Sequence, residues 1–469
     1  MQFWRWLVLL STVVLAAAQT PVRRPVSLIV THGTVVTVDA NRRVIEDGAV
    51  AIDGRDIAAV DTSDAIDARF SAPDTIDATG AVVMPGLINT HTHAPMVLYR
   101  GLADDLALMD WLQKYIFPAE AKTVSPEFVR AGTRLAALEM IESGTTTYAD
   151  MYYFEEEVAR ATKAAGLRGV LGETIIQFPA PDAKTPAQGI ARAETFVREF
   201  QGDDLITPAI APHAMYTLDT ETLKACRRFA DSFGTPVIIH VAETQAEVQA
   251  SQEKFGKTPV AYLESIGFWG PRTVAAHGVH VTQADIDVLA RRRVAVSHNP
   301  ESNMKLASGT APVIAMREAG VTVALGTDGA ASNNDLDMFE AMRQAAFLHK
   351  LISGDPRAIP APTAVEMATI DGARALGMDR EIGSLEPGKR ADVIVVSMQS
   401  ARQTPMYDPL SHLVYVTRGD DVRTTIVNGR VLMRDRKVLS LDRAQVLSDA
   451  RGFAARVREA VAPEGAVKR

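Results

Sequence analysis

Short apolar runs recur through the middle of the chain, separated by longer stretches in which apolar residues return at helical spacing. The runs at residues 82–84, 145–149, 169–174, 206–211, 236–239, 273–276, 294–297 and 321–325 predict eight buried strands. Residues 127–142, 187–200, 220–233 and 335–349 predict helices between them. Strand and helix in alternation predict a parallel α/β fold. Eight such units in about 300 residues predict a (β/α)8 TIM barrel, whose chemistry collects at the C-terminal ends of its strands. An open doubly wound sheet is the competing architecture. It would normally carry a glycine-rich phosphate loop after its first strand, and the sequence has none there.

The flanks have a different texture. Residues 28–30, 35–38 and 49–52 read as short strands, with Asp53-Gly54 as a turn signal. The same texture returns at 391–396 and 424–427, followed by Asn428-Gly429. Two β-rich flanks predict one small β-sandwich domain, built from 25–81 and 382–440 around a barrel at 82–381. Residues 441–469 are rich in Ala, Arg and Glu and predict a helical tail. At the start, Arg5 precedes an apolar stretch from Leu7 to Ala18 that ends in Ala16-Ala17-Ala18. This pattern predicts a signal peptide over 1–20 and an exported protein, periplasmic or secreted, soluble once the segment is cleaved. An uncleaved N-terminal anchor is the competing reading.

Of the 469 residues, 47% are apolar and 23% charged, an ordinary globular balance. The net charge of −8 argues against a nucleic-acid partner. With Cys226 as the single cysteine, neither an internal disulfide nor a cysteine-rich zinc site can form, so any metal must be held by His and carboxylates.

Seven of the ten histidines, His91, His93, His213, His240, His277, His280 and His298, fall at or just after predicted strand ends. In extended chain, His91 and His93 face the same way, so both imidazoles can approach one ion. A lone His-x-His is a weak signal, but here distant partners match it. His240 follows Val237-Ile238-Ile239, and Glu243 stands three residues on, placed to carry protons. The bland alternatives are a satisfied core histidine and a solvated loop acid. Asp328 follows Val323-Ala324-Leu325-Gly326-Thr327, with Gly326 and Gly329 allowing a sharp turn. It could cap the next helix, but Ser332, Asn333 and Asn334 are better placed to cap one starting at Asp335. Metal ligation by His91, His93, His240 and Asp328 is therefore the favoured reading. Three imidazoles and a carboxylate suit one Zn²⁺, with Fe²⁺ as the alternative. His277 would hold the attacking water or polarise the reacting centre. His298 is balanced between supporting that site and packing the core, and His280 is the less certain of its pair.

Taken in order, Pro85-Gly86-Leu87-Ile88-Asn89-Thr90-His91-Thr92-His93, His240 to Thr244, His277 to His280, Ser297 to Asn303 and Gly326 to Asn334 resemble the amidohydrolase superfamily, in its aminohydrolase branch. The resemblance spans nearly the whole chain after the first 20 residues and is closest to the 5′-methylthioadenosine/S-adenosylhomocysteine deaminases. Members with two metals usually carry a modified lysine on the fourth strand. The run Ile206-Thr207-Pro208-Ala209-Ile210-Ala211-Pro212-His213 has none, which favours a single metal. The resemblance implies hydrolytic release of ammonia from an adenosine-type nucleoside or related amino-heterocycle. Asp328 would take a proton from water, Glu243 would pass one to the ring nitrogen, and His277 would steady the attacking oxygen. It further implies that Glu120 and His213 meet the ribose, that Trp111 packs the thioether end, and that Ser332 belongs to the substrate site. By analogy the protein would form a homodimer or larger homo-oligomer.

One stretch departs from that pattern. The adenosyl-type deaminases tend to place an arginine after the third strand for the substrate's tail. This chain has Gly172-Glu173-Thr174-Ile175-Ile176-Gln177-Phe178, so Glu173 and Gln177 would form a different pocket. Two alternatives to a deaminase stand. One is an exported amidohydrolase cleaving an amide, peptide or chloro-heterocycle bond, and the other a non-catalytic binding protein on the same fold.

Overall fold

The computed structural model describes residues 23–461. The predicted signal segment and the last eight residues of the predicted tail lie outside them. Eight parallel strands, Leu87–Thr92, Thr145–Tyr152, Arg168–Ile175, Ile206–Pro212, Val237–Val241, Thr273–His277, Ala295–His298 and Val323–Leu325, are hydrogen-bonded in chain order. The two ends of that ladder meet. The Thr90 hydroxyl donates to the Leu325 carbonyl at 2.8 Å, and the Asp328 amide donates to the His91 carbonyl at 2.9 Å. This is the predicted (β/α)8 barrel.

Local signals place the helices. Pro126–Ser143 starts behind Ser125, whose side chain accepts the Phe128 amide, carries Pro at its first position, and ends on Gly144 at φ 86°. Thr220–Phe233 is capped by Asp219 and stopped by Gly234. The expected helix at 335–349 is instead Met338–Ser353, capped by Asp337, whose carboxylate accepts the Phe339 amide. Ser332, Asn333 and Asn334 therefore lie in a turn ahead of it rather than at its cap.

The apolar run at 82–84 does not open the barrel. It belongs to Ala81–Pro85, which pairs antiparallel with Val393–Ser397 and parallel with Leu28–Val36 in the flanking sheet. Pro85-Gly86 separates it from the true first barrel strand. A side chain at Gly86 would collide with Thr146, whose Oγ1 lies 2.1 Å from where a Cβ would stand. Both segments are wholly buried, but Leu87–Thr92 carries Asn, Thr and His where Ala81–Pro85 is apolar, so a search for apolar runs picks the flanking strand.

The flanks form a nine-stranded mixed sheet running from Asp56–Thr62 at one edge to Lys437–Val438 at the other. Residues from the two ends of the chain, among them Leu28, Val50, Ile57, Val83, Val393 and Ile426, share one buried core. Asn428 (φ 52°) and Gly429 (φ 74°) make the two-residue left-handed turn between Val422–Val427 and Arg430–Arg434. A buried ion pair fastens this sheet to the barrel, with Arg168 Nε 3.1 Å from Asp392 Oδ2. Asp392 also accepts the Asn428 amide, so its charge is hydrogen-bonded on both sides. The C-terminal helix Arg443–Val461 lies on Pro126–Ser143, with Phe453 edge-on to Phe128. Among the described residues no helix is long and apolar enough to cross a membrane.

Candidate metal centre

The ends of the first, fifth, sixth and eighth strands bring four of the singled-out histidines and Asp328 together. Ligand atoms of His91, His93 and His240 lie within 4.8 Å of one another, and so do those of His91, His277 and Asp328. Backbone carbonyls orient two of the rings: His93 Nδ1 is 2.7 Å from the Met151 carbonyl, and His240 Nδ1 is 2.8 Å from that of His213. A carbonyl only accepts, so each Nδ1 carries the proton and each Nε2 turns a lone pair inward. The two Nε2 atoms are 3.3 Å apart, where lone pairs repel unless a cation or a proton stands between them. Asp328 Oδ1 lies 3.3 Å from both His91 Nε2 and His93 Nε2. His91 is buried, with no hydrogen-bond partner on either ring nitrogen. Converging nitrogens, an orphaned imidazole and one carboxylate are the donor set of a divalent ion such as Zn²⁺.

The electrostatics agree with the geometry. Burial pushes His91 down to about 4 and His240 well below its ordinary value, leaving both neutral and able to ligate. Burial also lowers His93, but the Asp328 carboxylate outweighs it and holds that ring up to about 9. The proton that Asp328 draws onto His93 is one that a bound cation would displace.

Three non-glycine residues at these strand ends have left-handed backbones: Ala242 at φ 51°, His277 at φ 75° and Asp328 at φ 64°. Each such conformation costs on the order of 1–3 kcal/mol and persists where its surroundings enforce it. The sequence suggested that Gly326 and Gly329 would make the turn around Asp328, but Asp328 makes it itself. The two glycines are needed for close approach. A Cβ at Gly326 would stand 2.5 Å from Asn299 Oδ1, and one at Gly329 would stand 3.2 Å from the His93 Cβ.

Groups suited to proton transfer surround the same point. Glu243 is buried, with Oε2 3.7 Å from His277 Nε2 and Oε1 unpartnered. Burial raises its pKa, so it keeps its proton at higher pH than a free glutamate. His277 is held through Nδ1 by Asn303 Oδ1 at 2.9 Å. Asp328 Oδ2 accepts from Ser302 at 2.7 Å and Ser332 at 3.3 Å. The sequence reading gave no role to Ser302 or Asn303, and it missed Glu247, whose carboxylate accepts the backbone amides of Ala242 and Glu243, each at 2.9 Å. Thr244 accepts the Glu247 amide, and this Thr-x-x-Glu capping pattern was the available signal. Glu247 thus fixes the strained turn that aims Glu243. Replacing it with glutamine should retain the metal and lower kcat roughly tenfold or more, because one of the two amides loses its acceptor in a buried site. Metal content measured beside kcat checks this.

Above this centre opens a cleft. Trp111, Glu120, His213 and Ser332 all line it, together with Leu108, Leu112, Ile116, Phe117 and Tyr152, which the sequence reading did not name. His213 serves twice, since its carbonyl orients His240 while its ring lies 4.8 Å from that imidazole. His280 and His298 are not part of the site. His280 Nε2 lies 2.6 Å from the Ser308 carbonyl, and His298 pairs with buried His349 at 3.2 Å, which settles it as core. Glu173 does not shape the pocket either. It is fully buried on the far side of its strand, bonded to Arg192 at 2.8 Å, while Gln177 is exposed.

Residues 82–432 match the amidohydrolase family. A 5-methylthioadenosine/S-adenosylhomocysteine deaminase of Syntrophobacter fumaroxidans is 48% identical over 431 residues, spanning 92% of this chain and 98% of that protein. A 5′-deoxyadenosine deaminase of Methanosarcina acetivorans is 48% identical over 426 residues, spanning 90% and 96%. A zinc-bound adenosine deaminase structure from Xanthomonas campestris matches with a TM-score of 0.92 at 40% identity, covering 93% of this chain and 100% of that one.

Proposed function

Since the chain belongs to the amidohydrolase family, we infer that it is a metal-dependent hydrolase that deaminates adenosine-type nucleosides, exchanging the ring amine for an oxo group and releasing ammonia. The observation that carries this reading is the meeting, at the head of the cleft, of converging imidazoles and the Asp328 carboxylate with a buried Glu243 whose pKa burial raises. A hydrolase that merely activated water would need the first of these. Expelling an amine from an aromatic ring also needs an acid to protonate the ring.

His91, His93, His240 and Asp328 would hold the metal, which would supply the acidity that makes water nucleophilic near neutral pH. Asp328 Oδ2, steadied by Ser302 and Ser332, accepts a proton from the attacking water. Glu243 passes its proton to the ring nitrogen beside the attacked carbon. His277, fixed by Asn303, hydrogen-bonds the attacking oxygen through Nε2. A C–O bond forms at the amine-bearing carbon and the C–N bond breaks. The amine takes up the proton held by Asp328 and leaves as ammonia, while the remaining hydroxyl proton returns to Glu243 as the oxo group forms, so water and nucleoside go to oxo-nucleoside and ammonia with both carboxyls restored. Product analysis tests this: one oxo-nucleoside should appear for each nucleoside consumed, with the glycosidic bond intact.

The ribose meets Glu120. Tyr152 donates to Glu120 Oε1 at 2.8 Å, and the carboxylate lines the cleft. Burial raises Glu120 to about 7, a rise that the Tyr152 hydrogen bond opposes. Below that value the group is protonated and has fewer lone pairs for two hydroxyl donors. The KM for nucleosides with an intact ribose diol should therefore fall as pH rises through about 7, and Glu120→Gln should abolish that dependence. A pH series of KM for both proteins decides it.

We further propose that residues 1–20 direct export. N-terminal sequencing of the protein from an extracytoplasmic fraction should find those residues removed, whereas a chain still starting at Met1 would refute cleavage.

A further inference from the structure

The wall of the cleft beyond Glu120 is apolar. Leu108–Trp111, Leu112–Ile116 and Phe117–Thr123 follow one another as short helical turns. Leu108, Trp111, Leu112, Ile116 and Phe117 face the cleft, with Leu306 on another side of it. Apart from Glu120, the polar residues of the same segment do not line the cleft. Lys114 is exposed and sits 2.7 Å from Asp110 on the outer face. Phe178, half-exposed, stands edge-on to Phe117 at 5.3 Å and extends the apolar wall.

Among the described residues, no lysine or arginine lines the cleft, and its acids are Glu120, Glu243 and Asp328. The nearby cations are engaged elsewhere. Lys305, next to Leu306, bonds Asp104 at 2.5 Å and also reaches Asn334. Arg192 is bonded to Glu173 and Glu156. A carboxylate entering this part of the cleft would lose water, find no cation to replace it, and approach the charge of Glu120. A small apolar group would gain by displacing water from six apolar side chains.

Resting on the deaminase reading above, we propose that the cleft selects nucleosides whose 5′ substituent is uncharged and apolar, such as a 5′-deoxy or 5′-alkylthio group, and discriminates against a 5′ thioether ending in a zwitterionic amino acid. The discrimination is one of charge rather than length, because the wall lacks a partner for the tail's carboxylate.

The test compares kcat/KM for ammonia release by the metal-loaded protein from four substrates: 5′-deoxyadenosine, 5′-methylthioadenosine, 5′-butylthioadenosine and S-adenosylhomocysteine. The butylthio compound has nearly the reach of the amino-acid tail without its charges. The expected result is that S-adenosylhomocysteine falls below the butylthio compound by roughly 10- to 100-fold, mainly through KM, the cost of leaving a charged group without its hydrogen bond. Equal turnover of those two overturns this inference alone. Silence on every nucleoside overturns the deaminase reading and this inference with it.

Discussion

Glu243→Gln keeps its metal and loses turnover by roughly two to four orders of magnitude, the usual share of a general acid–base group. Glutamine preserves the shape and the backbone hydrogen bonds that Glu247 makes to Ala242 and Glu243, but it cannot hand over a proton. Glu243 is absent from both sets of converging metal donors, so the ion has no reason to leave. Its Oε1 is buried without a partner, and burial raises its pKa, the two conditions that suit a carboxyl delivering a proton to a substrate nitrogen. Metal analysis and kcat on the same preparation check both halves. Full activity in this variant would remove Glu243 from the proton path.

His240→Ala fails in the other way, losing metal and activity together. His240 is one of three imidazoles whose nitrogens converge, and its Nε2 stands 3.3 Å from that of His93. Removing it leaves two neighbouring imidazoles and Asp328, which cannot close a four-donor site. Without the ion's several kcal/mol of stabilisation, activity should fall on the order of a thousandfold or more. Adding excess Zn²⁺ should restore little, and a purified variant that keeps one full equivalent would contradict the ligand set.

Much of this was legible in the sequence for definite reasons. Strand and helix differ in period, so seven of the eight barrel strands and the helices at 127–142 and 220–233 could be placed before any coordinates. The His-x-His pair and the histidines ending later strands stood out because barrel chemistry gathers at that rim. The failures were also physical. Residues 82–84 and the true first strand are equally buried, but Leu87–Thr92 is mostly polar, so the more apolar run stood out although its pairing with Val393–Ser397 assigns it to the flanking sheet. Glu173 looked like a pocket residue, yet strand alternation turns it outward to Arg192, and a one-residue change of register is enough to reverse that. His298 ends a strand as His240 does, but the facing element there is the helix that carries His349. The supporting groups Glu247, Ser302 and Asn303 act through geometry across loops, which spacing along the chain does not encode.

The central claim is tested most directly by ammonia release from 5′-deoxyadenosine and 5′-methylthioadenosine, measured on Zn²⁺-loaded protein beside the same protein stripped by chelator. The account predicts one ammonia per nucleoside from the loaded enzyme, almost none from the stripped one, and recovery when Zn²⁺ is returned. Tightly bound metal with no ammonia from either nucleoside, or ammonia release that is indifferent to the metal, would contradict it.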